Sequence, residues 1–441
     1  MTGILQRQLG RAYPIAVRGE GINVWDAQGK RYIDACGGAA VSSLGHGHPA
    51  VIAALREQLG GIDYVHTSFF SSEPAEALAD ELLRGAPQGM SHVTFVSGGS
   101  EATETALKLA RQSAVERGEH HRTRVIARHQ SYHGNTLGAL AVSGNVPRRQ
   151  LYGPLLFDAH FIDPCFEYRF RRSDETPAQY GLRAADALEQ KIIELGPESV
   201  LAFIAETVVG ATSGVTPPLD GYFKRVREIC DRYGVLLILD EVMCGMGRTG
   251  TLHACSAEGV VPDLMTVAKG LGGGTVPIGA VFVHKAIHDA INAGSRTYFH
   301  GFTYMGHPLS CAGALAVQQT LRNEDLLANV QARAGQLRQR LDERLGRHPN
   351  VGDIRGRGLL MAIEFVSDRS SKRPFSPEQR TFRRVSSAAL DRGLMVYAMG
   401  GTIDGTSGDH ILLAPPYTVR PHEIEEIVEL LDAAVQTCLP S

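Results

Sequence analysis

Two ionisable residues, Asp240 and Lys269, directly follow apolar stretches of the chain and could carry chemistry. Asp240 follows the apolar stretch Val235–Leu239, which is expected to be buried. If its carboxylate is buried as well, it needs a cationic partner. Lys269 follows Leu264–Ala268 and precedes the glycine-rich run Gly270–Gly274. Burial or a nearby cation lowers the pKa of such a lysine, and its neutral amine can then form a Schiff base. The structural alternatives are a helix cap or salt bridge for Asp240 and a solvated surface position for Lys269.

A third segment, Gly98-Gly99-Ser100-Glu101, joins an apolar stretch to a helical pattern and could bind phosphate. Glycines let the backbone approach an anion closely, and the free N–H groups of a helix N-terminus favour one. Ser100 can cap the helix and still offer its hydroxyl. An ordinary strand–turn–helix junction is the alternative, and a Walker A loop is excluded because no Gly-Lys-Ser/Thr follows. Together with Asp240 and Lys269, the segment predicts a site for pyridoxal 5′-phosphate (PLP).

The elements that must position these residues alternate along the middle of the chain. Stretches that are apolar on both faces indicate a mostly parallel central sheet covered by helices, and hence an α/β fold. The polar residues follow the C-terminal ends of these stretches, where open α/β sheets bind ligands. A helix is predicted from Glu101 to Arg111. The predicted strands are His92–Val96, Arg124–His129, Val200–Glu206, Val235–Leu239, Leu264–Ala268 and Ile278–Val283.

The two ends of the chain are predicted to form a smaller α+β unit. A long amphipathic helix beginning near Leu326, a strand at Leu359–Ile363 and a last helix opened by Pro421 follow one another. Short strands at Ile22–Trp25 and Tyr32-Ile33 are expected to pack with them. The predicted organisation is an N-terminal segment over residues 1–55, a large cofactor-binding domain over 56–315 and a small domain over 316–441.

Composition and charge exclude several classes of protein. The 441 residues are 43% hydrophobic and 21% charged, with a net charge of −3, which is ordinary globular composition and gives no reason to expect nucleic acid or a membrane as partner. Seven cysteines occur singly, which argues against a disulfide framework or a zinc module and favours a reducing compartment. The N-terminal MTGILQRQLG lacks the apolar region of a signal peptide, so a cytoplasmic location is predicted.

The chain resembles the class III (ω-) aminotransferases, which have the aspartate-aminotransferase-like PLP fold, fold type I. The resemblance implies a large domain with a mostly parallel central sheet plus a smaller α+β domain, and PLP as cofactor. It also implies ping-pong transamination between an amine or ω-amino acid donor and a keto acid acceptor such as pyruvate or 2-oxoglutarate. The segments that carry it are Gly21–Asp26, Gly45–Pro49, Ser97–Arg111, Ser131–Gly134, Leu237–Val242, Ala268–Gly274 and His300–Tyr304.

The resemblance implies a role for each matching residue of the site. Lys269 would hold PLP as a Schiff base and move a proton between substrate and cofactor, while Asp240 would bind the ring nitrogen. Thr303 would reach the phosphate of the neighbouring subunit, so the active unit would be a homodimer with sites at the subunit interface, or a dimer of dimers. The remaining cofactor contacts would be Gly99 and Ser100 at the phosphate, Tyr132 and Val242 on the two ring faces, Glu206 near the ring hydroxyl, and His133 beside Tyr132.

The positions that choose the substrate differ from those of some family members. Ornithine- and γ-aminobutyrate-type members pair a switchable arginine with a glutamate, and Leu412 and Ala211 stand at those two places here. Arg420 lies near the mobile arginine of amine:pyruvate-type members and is expected to bind a keto acid carboxylate, the alternative being a solvated arginine at a helix start. The small residues around Ala40, with Phe69 and Phe70, are expected to line the substrate pocket.

Other functions remain possible on the same residues. A racemase or epimerase, an aminomutase or a decarboxylating transaminase would use the same lysine, aspartate and phosphate loop. A non-catalytic protein that binds a phosphate ligand on a doubly wound sheet is the alternative from a different class, and it would not need Lys269. His46 and His48, two residues apart in a Gly/Pro loop, are interpreted as turn residues, and no metal is predicted.

Overall fold

Residues 3–439 are described by the structure, which is a computed structural model of the chain. The strands, in chain order, are β1 Ala16–Glu20, β2 Asn23–Asp26, β3 Arg31–Asp34, β4 Met90–Val96, β5 Arg124–Arg128, β6 His160–Ile162, β7 Val200–Glu206, β8 Leu236–Asp240, β9 Leu264–Val267, β10 Gly279–His284, β11 Val351–Arg357, β12 Leu360–Phe365, β13 Leu394–Met395, β14 Tyr397–Gly400 and β15 Asp409–Leu413. The helices are α1 Gly37–Ala40, α2 Pro49–Leu59, α3 Glu73–Arg84, α4 Gly99–Glu116, α5 Leu137–Ala141, α6 Val146–Gln150, α7 Glu167–Phe170, α8 Pro177–Leu195, α9 Tyr222–Tyr233, α10 Ala254–Glu258, α11 Lys285–Ala293, α12 Pro308–Asn323, α13 Leu326–Leu345, α14 Thr381–Asp391 and α15 Pro421–Cys438.

The central sheet has seven strands in the order β4-β10-β9-β8-β7-β5-β6. Its strands run parallel except β10, which pairs antiparallel with both of its neighbours. The predicted α/β fold with a mostly parallel sheet is confirmed, and each of the six predicted strands forms within two residues of its expected bounds. Because parallel strands end at one edge, β7, β8 and β9 bring their C-terminal residues together there.

Two apolar cores cover the two faces of this sheet. Successive residues of β8 alternate between them, since side chains of a strand point to opposite faces: Leu237 and Leu239 pack in one core, and Leu236 and Ile238 in the other. Helices α3, α8 and α9 bury their apolar faces in the first core, and α4 in the second. The sheet is therefore covered on both sides, as its continuously apolar strands require.

The N-terminal strands and the C-terminal third of the chain share a third core. Ile22 and Ile33 pack in it with residues of α13, β12 and α15. Strand β3 pairs in parallel with β13, with Ile33 opposite Leu394, so the predicted packing of the N-terminal strands with the later part of the chain forms. The three-part division with boundaries at residues 55 and 315 stays a prediction.

Candidate active site

A cavity of about 420 Å³ opens where β7, β8 and β9 end. Asp240, Lys269 and the start of α4 all face it, so the tertiary structure brings together the three segments that the sequence singled out. Glu206, Tyr132, His133 and Val242 also line it. The remaining lining residues are Arg7, Ala39, Val41, Ser97, Gly134, Arg148, Gly210, Ala211, Met243, Ala268, Val276, Pro277, Ile278 and Tyr397.

Asp240 is buried at the end of β8, and its carboxylate is hydrogen-bonded within the protein. Its Oδ2 lies 2.7 Å from Nδ1 of His133, and its Oδ1 accepts a hydrogen bond of 2.9 Å from the backbone N–H of Val242. The ring of His133 is buried and its Nε2 has no hydrogen-bond partner within residues 3–439. Since Nδ1 is the nitrogen that faces the carboxylate, a neutral His133 would keep its proton there and donate it to Asp240.

Glu206 occupies the end of β7 and links the cavity floor to Tyr132. Its Oε1 accepts a hydrogen bond from the backbone N–H of Tyr132 at 3.2 Å, and its Oε2 lies 3.6 Å from Nη2 of the buried Arg128. Burial raises the pKa of Glu206, while His133 and Arg128 oppose that rise. Its Oε2 has no hydrogen-bond partner in the described part of the chain, so a ligand in the cavity could donate to it.

Lys269 directly follows Ala268 beyond the end of β9 and has a left-handed backbone, with φ of 44°. This conformation is uncommon for a residue with a side chain, and such strain concentrates at functional sites. Burial lowers the pKa of the Lys269 amine, and the negative charge of Asp240 partly opposes this shift. The direction of this shift makes the neutral, nucleophilic amine more accessible than in an exposed lysine.

Helix α4 begins at the opposite wall and supplies its N-terminus. The first N–H groups of a helix have no partner within it, so they are available to an anion. A side chain at Gly99 would place its Cβ 2.9 Å from Cγ1 of Val242, which is why a glycine is needed here. The Ser100 Oγ accepts a hydrogen bond of 2.9 Å from the backbone N–H of Asn135 and keeps its own proton to donate.

The arrangement fits PLP. A helix N-terminus suits its phosphate, a buried carboxylate suits its protonated pyridine nitrogen, and a lysine with a lowered pKa suits its aldehyde. The flat ring of Tyr132 and the branched side chain of Val242 are available for the two faces of the pyridine ring. The unpartnered polar atoms of His133 and Glu206 leave hydrogen-bonding capacity that a polar aromatic ligand could use.

Five predicted residues do not line this cavity within one chain: Thr303, Phe69, Phe70, Ala40 and Arg420. Thr303 is exposed, and its carbonyl accepts a hydrogen bond of 3.0 Å from the Tyr64 hydroxyl. Thr303 and Phe70 line a second cavity of about 670 Å³ instead. Phe69 is 79% exposed on the adjoining surface.

Ala40 does not line the cavity within one chain, and its substrate role stays a prediction. Ala40 is buried in a small apolar cluster with Leu412, against which Met243 and Tyr397 of the cavity wall pack. Its neighbours Ala39 and Val41 line the cavity instead. The reason is the irregular turn of α1, where φ is 67° at Gly38 and 60° at Ala40, so that no regular helical spacing applies.

Arg420 also lies outside this cavity within one chain, and its role toward a keto acid stays a prediction. Arg420 begins α15 and its Nη2 lies 2.7 Å from Oε1 of Glu423, with the side chain 65% exposed. It lines a separate surface cleft together with His46 and His48. The alternative of a solvated arginine at a helix start describes it better. Of the other two specificity positions, Ala211 lines the active-site cavity and Leu412 is buried behind it.

Two arginines that the sequence analysis missed line the cavity. Arg148 belongs to the short helix α6, and Arg7 lies in the irregular N-terminal segment. Neither belongs to an apolar or glycine-rich pattern, so only the path of the chain reveals that they face the site. Met243 and Tyr397 were missed for the same reason.

His46 and His48 have acidic neighbours rather than a shared site. His46 Nε2 lies 3.2 Å from Oδ2 of Asp34, and His48 Nε2 lies 3.4 Å from Oε1 of Glu324. Within residues 3–439, no group of three or more His, Cys, Asp or Glu side chains could hold a metal ion.

Comparison with known proteins identifies the family. Residues 6–435 match the family model described as aminotransferase class-III. An uncharacterized aminotransferase of Schizosaccharomyces pombe is 45% identical over 423 residues, 96% of this chain and 92% of that protein. A putrescine–pyruvate aminotransferase of Pseudomonas aeruginosa is 34% identical over 94% of this chain and 89% of its own length.

Solved structures agree with this assignment. The PLP-bound form of an amine transaminase from an uncultivated Pseudomonas species superposes with a TM-score of 0.92 at 35% identity. The match covers 99% of this chain and 98% of that one. The chain belongs to the class III aminotransferases, and it is a PLP-dependent enzyme that catalyses transamination.

Proposed function

We propose that this enzyme transfers the amino group of an amine or ω-amino acid to a keto acid such as pyruvate or 2-oxoglutarate. The observation that carries the proposal is the convergence of Lys269, Asp240 and the α4 N-terminus on one cavity of about 420 Å³. Ala211 and Leu412 leave the site without the glutamate–arginine pair of ornithine- and γ-aminobutyrate-type members. The relative named for putrescine and pyruvate gives one example of an amine and a keto acid handled on this fold.

In this proposal the residues around the cavity hold the cofactor at three places. Lys269 holds PLP through its amine as a Schiff base, and Asp240 pairs with the ring nitrogen while His133 keeps the Asp240 carboxylate in position. The α4 N-terminus, with Gly99 and Ser100, holds the phosphate. Tyr132 and Val242 cover the two ring faces, and Glu206 lies near the ring hydroxyl.

In this proposal Lys269 controls the transfer of one proton of the substrate. When bound, PLP supplies an electron sink that stabilises negative charge on the substrate carbon next to nitrogen. The Nζ of Lys269 would move the proton at that carbon, a task that the lowered pKa of its amine favours. Arg128 helps to hold Glu206 in place, because its guanidinium also donates to the Glu206 carbonyl.

The proposed active unit is a homodimer with active sites at the subunit interface, or a dimer of dimers. Two segments, residues 64–72 and 298–306, pack together through Tyr64, whose ring lies 5.8 Å from that of Tyr304. They expose Phe69, Phe70 and Phe299 to solvent. Large apolar patches on a surface favour association, and in a dimer Thr303 would then reach the partner's cofactor phosphate.

We also propose that the enzyme works in the cytoplasm. All seven cysteines are free and buried, which suits a reducing compartment. No helix within residues 3–439 is both long and apolar enough to cross a bilayer.

Borohydride reduction tests the proposed role of Lys269. Purified wild-type enzyme with PLP should be yellow, lose its colour with borohydride and carry a covalent pyridoxyl group on Lys269 in a peptide map. Lys269→Ala should carry no reducible label and lose transamination by a factor of at least about 10³, because the nucleophile and proton carrier are the same amine. Label on another lysine, or a protein that stays colourless with added PLP, would contradict the proposal.

A substrate panel separates transamination from the other reactions of this site. Amines, ω-amino acids and α-amino acids are each incubated with pyruvate, 2-oxoglutarate or succinic semialdehyde, and both products are measured. Stoichiometric formation of a new amine and a new carbonyl compound is expected. Loss of optical activity without amino transfer would indicate a racemase, and migration of the amino group within one substrate would indicate an aminomutase.

A further inference from the structure

We propose that Arg148 binds the carboxylate of the substrate, so that this site is built for keto acids and amino acids as one of its two substrate classes. The inference rests on the proposed function and adds to it the residue that recognises the acid. It replaces Arg420, which lies in a different cleft and is already paired with Glu423.

Arg148 lines the same cavity as Lys269 and Asp240. It is half-buried on helix α6, and its guanidinium carbon lies 4.3 Å from the centroid of the Tyr132 ring. Its positive charge contributes to lowering the pKa of the Lys269 amine, so the electric field of the guanidinium reaches the reacting group.

The guanidinium of Arg148 is available to bind a ligand. Its neighbour Arg149 donates to the carbonyls of Ala141 and Ser143, which fixes it to the protein. Within residues 3–439, the side chain of Arg148 makes no hydrogen bond and no ion pair, and its contact with the Tyr132 ring uses none of its N–H donors. An arginine in this state can grip a carboxylate with two parallel hydrogen bonds.

The charges around the cavity favour an anionic substrate at this wall. The acidic residues that line the cavity, Glu206 and Asp240, are paired with Arg128 and His133. Arg148 and Arg7 are therefore the cavity's arginines without an acidic partner in the described chain. In the described chain, the side chain of Arg148 is held by its contact with the Tyr132 ring and by no hydrogen bond or ion pair. It can therefore rotate out of the cavity when the bound amine has no carboxylate.

Binding of a dead-end carboxylate to the holoenzyme tests this without relying on turnover. Propionate and its uncharged isostere propionamide are titrated calorimetrically into PLP-loaded wild-type enzyme, Arg148→Gln and Arg148→Lys. The matched control is Arg383→Gln, since Arg383 is exposed on α14 and its guanidinium also lies over a ring, that of Phe382, outside the cavity. Steady-state KM and kcat are measured in parallel for pyruvate and for butanal, which has no carboxylate.

We expect Arg148→Gln to weaken propionate binding at least tenfold and to raise KM for pyruvate by a similar factor. Propionamide binding, KM for butanal and PLP affinity should stay within twofold. Arg148→Lys should recover part of the propionate affinity, because lysine restores the positive charge but cannot form the two parallel hydrogen bonds of a guanidinium. Arg383→Gln should match wild type throughout.

Three results would overturn the inference, and each differs from a failure of the proposed function. Unchanged propionate affinity in a yellow, active Arg148→Gln enzyme would show that another group binds the carboxylate. An equal loss for pyruvate and butanal would show that Arg148 only positions Tyr132. A loss of PLP affinity would show that it holds the cofactor. A colourless, inactive wild-type enzyme would instead contradict the proposed function itself.

Discussion

At the scale of single residues, the acid and the base of the site differ in what surrounds them. Asp240 keeps its carboxylate inside the protein because His133 and the backbone N–H of Val242 satisfy it. For Lys269, burial is the largest influence and lowers the pKa of the amine. The neighbouring negative charge of Asp240 limits this fall without reversing it. The same cavity therefore holds a hydrogen-bonded carboxylate beside an amine whose pKa is lowered.

This balance predicts how pH controls loading of the apoenzyme with PLP. Only the neutral amine reacts, so the loading rate should rise with pH, with a midpoint below the ordinary pKa of a lysine. Asp240→Asn removes the charge that raises the pKa of Lys269, so its midpoint should move to still lower pH. Borohydride trapping at saturating PLP over a pH series measures both midpoints. The exposed Asp289→Asn should leave the midpoint unchanged, and an upward shift in Asp240→Asn would contradict the prediction.

At the scale of elements, the site depends on how closely α4 approaches the loop after β8. Gly99 opens α4 and Val242 follows β8 by two residues, and their contact leaves no room for a Cβ. Strand β8 fixes Asp240, and the same turn carries Val242, whose N–H bonds to Asp240. One turn therefore sets both the position of Asp240, the proposed partner of the ring nitrogen, and the spacing to α4, the helix proposed to bind the phosphate.

Gly99→Ala separates helix stability from cofactor affinity. Alanine is a better residue than glycine inside a helix by about 1 kcal/mol, which can offset the cost of moving Val242, so the Tm of the apoenzyme should change little. The new Cβ would force Val242 outward, and PLP affinity should fall about tenfold, or ~1.4 kcal/mol. Fluorescence titration with PLP measures the Kd. In a double-mutant cycle, Gly99→Ala should reduce PLP affinity less in the Val242→Ala background than in the wild-type background. An equal loss of PLP affinity in both backgrounds would show that the effect does not arise from the contact with Val242.

At the scale of the whole molecule, the cavity that contains the chemistry is not the larger one that Thr303 borders. The larger cavity, of about 670 Å³, is bordered by Thr303 and by the exposed aromatic segments around Phe70 and Phe302. The predicted contact of Thr303 with a cofactor phosphate is unmet within one chain, and an exposed apolar surface adjoins it. Both facts have one explanation if two chains associate across this surface.

Charges introduced on this surface should therefore separate the subunits and lower activity together. Phe70→Glu combined with Phe299→Glu should shift the sedimenting species from dimer or tetramer to monomer. PLP affinity should fall with it, because Thr303 of the neighbouring chain would no longer contribute. Ile193→Glu is the control, since Ile193 is 57% exposed on α8, outside the two segments. A wild-type enzyme that sediments as a fully active monomer would contradict the prediction.

The sequence by itself determined the fold class, the family and the central chemistry. Runs that are apolar on both faces can satisfy burial only inside a covered parallel sheet, and the residues that end them must then share one edge. Asp240, Lys269, Glu206 and the start of α4 could be predicted in this way, because their positions follow from strand ends. The strands matched their predicted bounds for the same reason.

Only the tertiary structure decided which side chains form the walls of the cavity. Arg420, Ala40 and Arg148 lie in turns or at helix starts, where local sequence does not fix the direction of a side chain. An irregular turn points Ala40 into an apolar cluster, and Glu423 holds Arg420 at the surface. Arg148 reaches the cavity because α6 packs beside Tyr132. Substrate recognition depends on such long-range packing, whereas cofactor binding follows from the ends of strands.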